Sequence, residues 1–123
     1  MTKKKAVFTT ENGSKIEVAE NIVAGAVVEA ISGIPGLAGL KDGRIDEVMG
    51  RLARGKSTKS VTIIPKENED VDIDVHIVVQ FRASVPEISN LIKERVKENV
   101  EAITGIRAAD VMVHINDVSI SES

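Results

Sequence analysis

Two short runs in this chain carry the spacing of phosphate-binding motifs, and two histidines would meet on one face if their strands adjoin. Gly50-Arg51-Leu52-Ala53-Arg54-Gly55-Lys56-Ser57 fits the pattern G-x-x-x-x-G-K-[ST] at every fixed position. Such a loop holds phosphate because it follows a strand and opens a helix, so that its amides converge at the helix N-terminus. Here the order is reversed, with Ile45 to Leu52 reading as helix before the loop and Val61 to Ile64 as strand after it. No apolar strand ending in an aspartate follows in the place that holds magnesium. A helix end running into a basic turn suits these residues better than a nucleotide loop. Gly33-Ile34-Pro35-Gly36 fits the G-x-x-G of RNA-binding KH domains, whose loop joins two helices against backbone phosphates. Ile34 and Pro35 are poor central residues for that work, no helix obviously follows, and no aromatic platform is available for bases. A helix cap and a turn fit better.

His76 and His114 fall on the outward parity of two strands, the first beside Asp74 and the second beside Asn116. If those strands are neighbours, the imidazoles approach each other on an open sheet face. A site of two histidines and a carboxylate is one reading; solvated surface histidines are the other, since metals need several convergent and supported ligands. No paired carboxylates fall on a buried face, and no serine adjoins either histidine. Acid–base and nucleophilic catalysis therefore have no candidate, and neither an enzyme nor a cofactor is expected.

Charge is uneven along the chain. The stretch 41–59 carries Lys41, Arg44, Arg51, Arg54, Lys56 and Lys59 against Asp42, Asp46 and Glu47. The stretch 66–74 carries Glu67, Glu69, Asp70, Asp72 and Asp74 against one lysine. Both read as solvated surface or, functionally, as a bipolar module for an acidic partner, an anionic membrane surface or its own copies. On the functional reading, the expected partner-binding residues are Arg44, Arg51, Arg54, Lys56, Lys59, Asp72, Asp74 and His76.

The elements that position these residues are legible from apolar spacing. Val71, Ile73, Val75, Ile77, Val79 and Phe81 alternate with mostly polar residues, which marks a strand with one covered face. After Pro86 the spacing becomes Ile88, Leu91, Ile92, Val96, Val100 and Ile103, one side of a helix that Gly105 ends. That helix starts within a turn of Val85, either with Pro86 at its first position or with Ser84 as cap and Glu87 at capping-box spacing. Alternation resumes at Val111, Val113 and Ile115. Upstream, Asn12-Gly13 reads as a turn, Ser14–Val18 as a strand, and Ile22, Val23, Ala26, Val27, Ala30 and Ile31 as a helix stripe closed by Ser32-Gly33. Leu37–Leu40 reads as a brief strand, Arg44–Arg54 as a short helix, Val61–Pro65 as a strand and Lys66–Asp70 as a polar turn. The ends Ala30-Ile31-Ser32-Gly33-Ile34 and Ala102-Ile103-Thr104-Gly105-Ile106 echo each other. Either two like units lie side by side on one sheet, or helix stops have converged on similar residues.

The expected fold is α/β of the α+β type. It is a two-layer sandwich with a mixed sheet of about four to five strands and two long helices packed on one face. A chain of 123 residues fits one domain. That domain is expected over 14–118, with a partly flexible N-terminal segment 1–13 and a polar tail 119–123. Phe8 and Phe81 are the aromatic residues, so the core must be aliphatic. A formal charge of -3 argues against a generic nucleic-acid binder, and the lack of cysteine excludes disulfides and thiolate chemistry. No apolar run approaches the roughly 20 residues that cross a bilayer. Met1-Thr2-Lys3-Lys4-Lys5 lacks the apolar stretch that completes a signal peptide, so a cytoplasmic protein is expected.

The chain also resembles the alkaline-shock-protein family of Gram-positive bacteria, also called the envelope stress response family. The carriers are Ile16-Glu17-Val18-Ala19-Glu20-Asn21-Ile22-Val23, Ile31-Ser32-Gly33-Ile34, Pro35-Gly36-Leu37 and Val71-Asp72-Ile73-Asp74-Val75-His76-Ile77-Val78-Val79. Val85-Pro86-Glu87-Ile88, Ile103-Thr104-Gly105-Ile106 and Val111-Met112-Val113-His114-Ile115-Asn116-Asp117-Val118 complete it. Phe81-Arg82-Ala83-Ser84 departs from the pattern, because relatives often place an aromatic and a glycine before the serine. The loop leading into the second long helix is expected to differ accordingly. The resemblance implies a small cytoplasmic, non-enzymatic protein of envelope homeostasis, in some members held at the inner membrane face by a membrane-anchored partner. It transfers no catalytic residue. The resulting expectation is a protein-interaction or scaffold module able to form homo-oligomers, with a nucleotide- or RNA-binding module around Gly55-Lys56 as the alternative.

Overall fold

A computed structural model describes residues 5–9 and 15–120. The element order is β1 (Lys5–Thr9), β2 (Lys15–Ala19), α1 (Glu20–Ile31), β3 (Leu37–Leu40), α2 (Ile45–Ala53), β4 (Val61–Pro65), β5 (Val71–Gln80), α3 (Val85–Thr104) and β6 (Ala108–Ser119). β1 and β2 pair antiparallel as a separate two-stranded sheet; the Asn12-Gly13 turn expected between them lies outside the described residues. β1 falls within the segment 1–13.

The main sheet is built around β5. β6 runs parallel along one edge of β5, from Val71↔Ala108 to Gln80↔Ser119. The other edge is shared end to end by two short antiparallel strands, β4 opposite Val71–Val75 and β3 opposite Ile77–Val79. They meet at His76, whose N–H donates to the Ser60 carbonyl at 2.8 Å and whose carbonyl accepts from the Lys41 N–H at 3.1 Å. The sheet is therefore mixed and four-stranded, as the sequence leads one to expect.

Parity decides what is covered. Val71, Ile73, Val75, Ile77 and Val79 are all buried, while Asp72, Asp74, His76 and Val78 between them are half-buried. The odd face packs under α1 and α3 in one aliphatic core that includes Ala26, Val27, Ile31, Ile92, Val96 and Val100. The helices are joined directly where the Asn99 amide donates to the Ala26 carbonyl at 2.7 Å. Two stripe residues do not belong to the core. Ile22 is 51% exposed and Ile103 is 50% exposed. In α1 apolar residues occur nearly all round the helix, so spacing alone left its buried side ambiguous; in α3 the stripe runs out in the last turn.

Helix ends follow the sequence closely. Ser84 occupies the N-cap of α3 with Val85 first and Pro86 second, but its hydroxyl makes no cap bond, so position rather than a capping box starts the helix. Gly33 and Gly105 both take left-handed backbone, at φ 83° and 76°, and the isoleucine after each is buried, Ile34 at 4% and Ile106 at 1% exposure. The two ends share a left-handed glycine and a buried isoleucine, although Ser32 caps α1 with extended backbone whereas Gly105 is itself the cap of α3. Gly36 is also left-handed, and a Cβ there would lie 2.9 Å from both Ala83 Cβ and Ile88 Cδ1. The Gly33–Gly36 turn is packed against the start of α3 and leads into a strand.

Candidate interaction surfaces

The sequence-expected site residues divide between two surfaces. Asp72, Asp74 and His76 lie on the sheet face away from the helices, with register setting their neighbours. Ile64, Asp72 and Asp110 form one row across β4, β5 and β6; Thr62, Asp74 and Met112 form the next; His76 and His114 sit side by side in the third. The imidazoles stack with ring centroids 4.4 Å apart and planes 10° from parallel. His76 Nδ1 is 2.8 Å from Asn116 Oδ1, and His114 Nε2 is 3.7 Å from Asp74 Oδ1. His114 Nε2 is buried without a hydrogen-bond partner, and so is Asp72 Oδ1, which lies 3.7 Å from Lys66 Nζ. The even face is therefore a pre-set polar surface, more constrained than free solvated side chains. Among the described residues no three histidines, cysteines or carboxylates converge as a metal group.

Arg44, Arg51, Arg54, Lys56 and Lys59 belong to a corner formed by the turn after β3, by α2 and by the loop into β4. The phosphate-loop look-alike lies here, with Gly50–Ala53 in the last turn of α2 and Arg54 capping its C-terminus. This is the end of a helix where carbonyls rather than amides are exposed, opposite to what a phosphate cradle uses.

Asp42 organises the corner. Its carboxylate accepts from Thr58 Oγ1 at 2.7 and 2.9 Å, from the Lys59 N–H at 2.8 Å and from the Ser60 hydroxyl. Arg51 reaches it from α2, with Nη2 3.3 Å from Oδ2 and 2.8 Å from the Asp42 carbonyl. Ser60 is fully buried at the point where β3 and β4 meet on His76, and its oxygen also accepts the Asp42 N–H at 3.1 Å. Burial pushes the Asp42 carboxyl up, but bonds from Ser60, Lys59 and Thr58, with the charge of Arg51, outweigh burial and hold it below the usual carboxylate range. Arg51 is thus committed inside the corner. Arg44 lies 3.5 Å from Asp46, and its N–H donates to Glu47 at 3.2 Å. Arg54, Lys56 and Lys59 are exposed, as is Lys41 on the neighbouring turn.

The family model of alkaline shock protein 23, described by a cell envelope-related function, matches residues 8–120. The protein YqhY of Bacillus subtilis is 23% identical over 104 residues, spanning 82% of this chain and 74% of its own length. Spy1614 of Streptococcus pyogenes is 26% identical over 107 residues, spanning 85% and 88%. A stress response regulator gls24 homolog of Streptococcus pyogenes is 24% identical over 103 residues, with this chain spanning 58% of its length. Among solved structures, a MamM-CTD variant superposes with a TM-score of 0.46 at 18% identity, covering 80% of this chain and 96% of that one.

Proposed function

Because the chain belongs to the alkaline shock protein 23 family, whose function is cell envelope-related, we propose that it is a non-enzymatic protein-interaction module of the envelope stress response. The supporting observation is the open face of the β4–β5–β6 sheet. Its polar side chains are held in fixed rows by register, by the His76–His114 stack and by the bond to Asn116, yet Ile64 and Met112 on it remain 42% and 53% exposed. Pre-ordered polar groups around exposed apolar ones lower the entropy lost on docking. Asp72, Asp74 and His76 are the residues on which a protein partner rests. Among the described residues no helix is long and apolar enough to cross a membrane; a membrane-anchored partner is one route by which such a module reaches the inner membrane face.

A photo-crosslinking side chain placed at His76 or Met112 in the cell should give discrete protein adducts, and one at Glu94 on the outer side of α3 should not. Equal labelling from all three positions, or none, would sink the reading. Calorimetry with ATP, GTP and short RNA at physiological salt should show no saturable heat. Micromolar binding abolished by Lys56→Ala would replace this function with the nucleotide-binding alternative. Adducts between copies, with sedimentation showing an association that weakens as salt rises, would identify the partner as a second copy.

A further inference from the structure

From the basic corner, which adjoins the open face at the His76 backbone but does not depend on its role, we infer a second docking surface: Lys41, Arg54, Lys56 and Lys59 bind the plane of an anionic lipid bilayer. The inference starts from how charge is spent in the corner. Asp42 is saturated by Thr58, Lys59, Ser60 and Arg51, and Asp46 lies against Arg44. Glu47 accepts the Arg44 amide, a neutral donor, so its charge remains and the corner carries a net excess of positive charge rather than four uncompensated cations. Among the described residues Lys41, Arg54, Lys56 and Lys59 have no acidic partner, and all are exposed. Asp42 ties together the turn that carries Lys41, the end of α2 that leads to Arg54 and the loop that carries Lys59. The free cations are therefore gathered at one corner by a fixed scaffold.

The negative charge of the chain does not cancel this corner. The acidic turn around Glu67 and Asp70 lies at the far end of β4, five residues away along the strand. At ~3.3 Å per residue that is roughly 17 Å. The Debye length at physiological salt is about 8 Å, so the two ends act as separate patches. Asp70 and Asp72 are also met by Arg107 and Lys66, at 3.6 and 3.7 Å.

The chemistry of the corner selects the partner. A bound peptide needs main-chain pairing or side-chain pockets, and single-stranded RNA needs aromatic faces on which to stack. The cations here hang from a turn, a helix end and a loop, with no aromatic residue among them, and offer only charge at the tips of long side chains. A plane of anionic headgroups asks for nothing more, and each basic residue near such a surface contributes about 1 kcal/mol, a factor of about five in partitioning.

The test is co-sedimentation of the full chain with phosphatidylcholine vesicles, with and without about one-third phosphatidylglycerol. At about 0.1 M salt, partitioning should be on the order of a few hundredfold stronger on the anionic vesicles, and it should vanish near about 0.5 M salt. Replacing Arg54, Lys56 and Lys59 together by glutamine should cost about a hundredfold, and each single replacement about fivefold. Lys93→Gln with Lys97→Gln on α3 removes charge elsewhere and should change little. Thermal melts of each variant confirm the fold, and the single replacements report even where the triple one melts early. Equal partitioning on neutral vesicles, or indifference to the corner substitutions, would overturn the inference. So would displacement of the protein from vesicles by short RNA at equal anionic charge, which would assign the corner to nucleic acid.

Discussion

At Asp42, one carboxylate does the work of a small hydrogen-bonded core. Removing it leaves the fully buried Ser60 hydroxyl without its acceptor and takes the carboxylate from the Arg51 guanidinium, which keeps only the backbone carbonyl of residue 42. Asp42→Ala should therefore lower stability by about 1–3 kcal/mol, read from urea melts. The pH dependence follows from the direction of its shift. A carboxyl held below its ordinary value stabilises the fold fully above that value, and the contribution is lost as pH falls through the folded-state pKa. The gap in stability between the parent and Asp42→Asn should be constant near neutrality and close as pH drops below about 4. In the sequence Asp42 was legible as a turn residue with Gly43 and as one acid set against a basic run. Its partners lie on α2 and beyond it, and hydrophobic periodicity carries no information about such contacts; the hydroxyls of Thr58 and Ser60 amid lysines were the available signal. Arg82 is the opposite case. The family resemblance expects a glycine in the loop 81–84, and Arg82 there adopts φ 70°, the left-handed region that glycine enters freely. Arg82→Gly should raise stability by about 0.5–1 kcal/mol in the same assay, since it relieves more strain than it adds chain entropy.

Among the elements, β5 was the most legible because a period of two admits one register. Ile77 is fully buried, and Ile77→Ala should cost about 2–5 kcal/mol. His76 sits one residue away on the open face, and a solvated histidine there would be nearly neutral on truncation. The stack on His114 and the bond to Asn116 raise the expected cost of His76→Ala to about 1 kcal/mol. Paired urea melts measure both, and a His76→Ala loss as large as that of Ile77→Ala would mean that the even face is covered. Alternation could show that His76 and His114 share a face only if their strands adjoin; which strands adjoin is set by the long α3 crossover, which leaves no local mark. The short elements β3, α2 and β4 were found at their correct places because turn residues bracket them. Their joint occupation of one β5 edge was not legible, since neither strand is long enough to declare a partner.

For the whole molecule, two-layer architecture, helix pairing and family were all readable, whereas the partition of charge into committed and free side chains needed coordinates. Of the sequence-expected binding residues, Arg51 is internal to the Asp42 cluster and Arg44 lies against Asp46. The same basic run therefore separates into groups that hold the corner together and groups that face outward.

β5 pairs with β3, β4 and β6, and among the described residues of the main sheet no two of those strands pair with each other. A sheet wired this way has no redundant route: once β5 detaches, every other strand loses its ladder at the same moment. The consequence is kinetic and cooperative. Partial unfolding cannot peel the sheet strand by strand from the centre, and no stable fragment lacking Val71–Gln80 should exist. Amides at Val75, Ile77 and Val79 should exchange with solvent only through global opening, all at one free energy, while those of the short strand β3 exchange by local fraying. The β3–β5 and β5–β6 pairings each join residues roughly forty apart in sequence, so both must close late, whereas β4 meets β5 across a short turn and forms first.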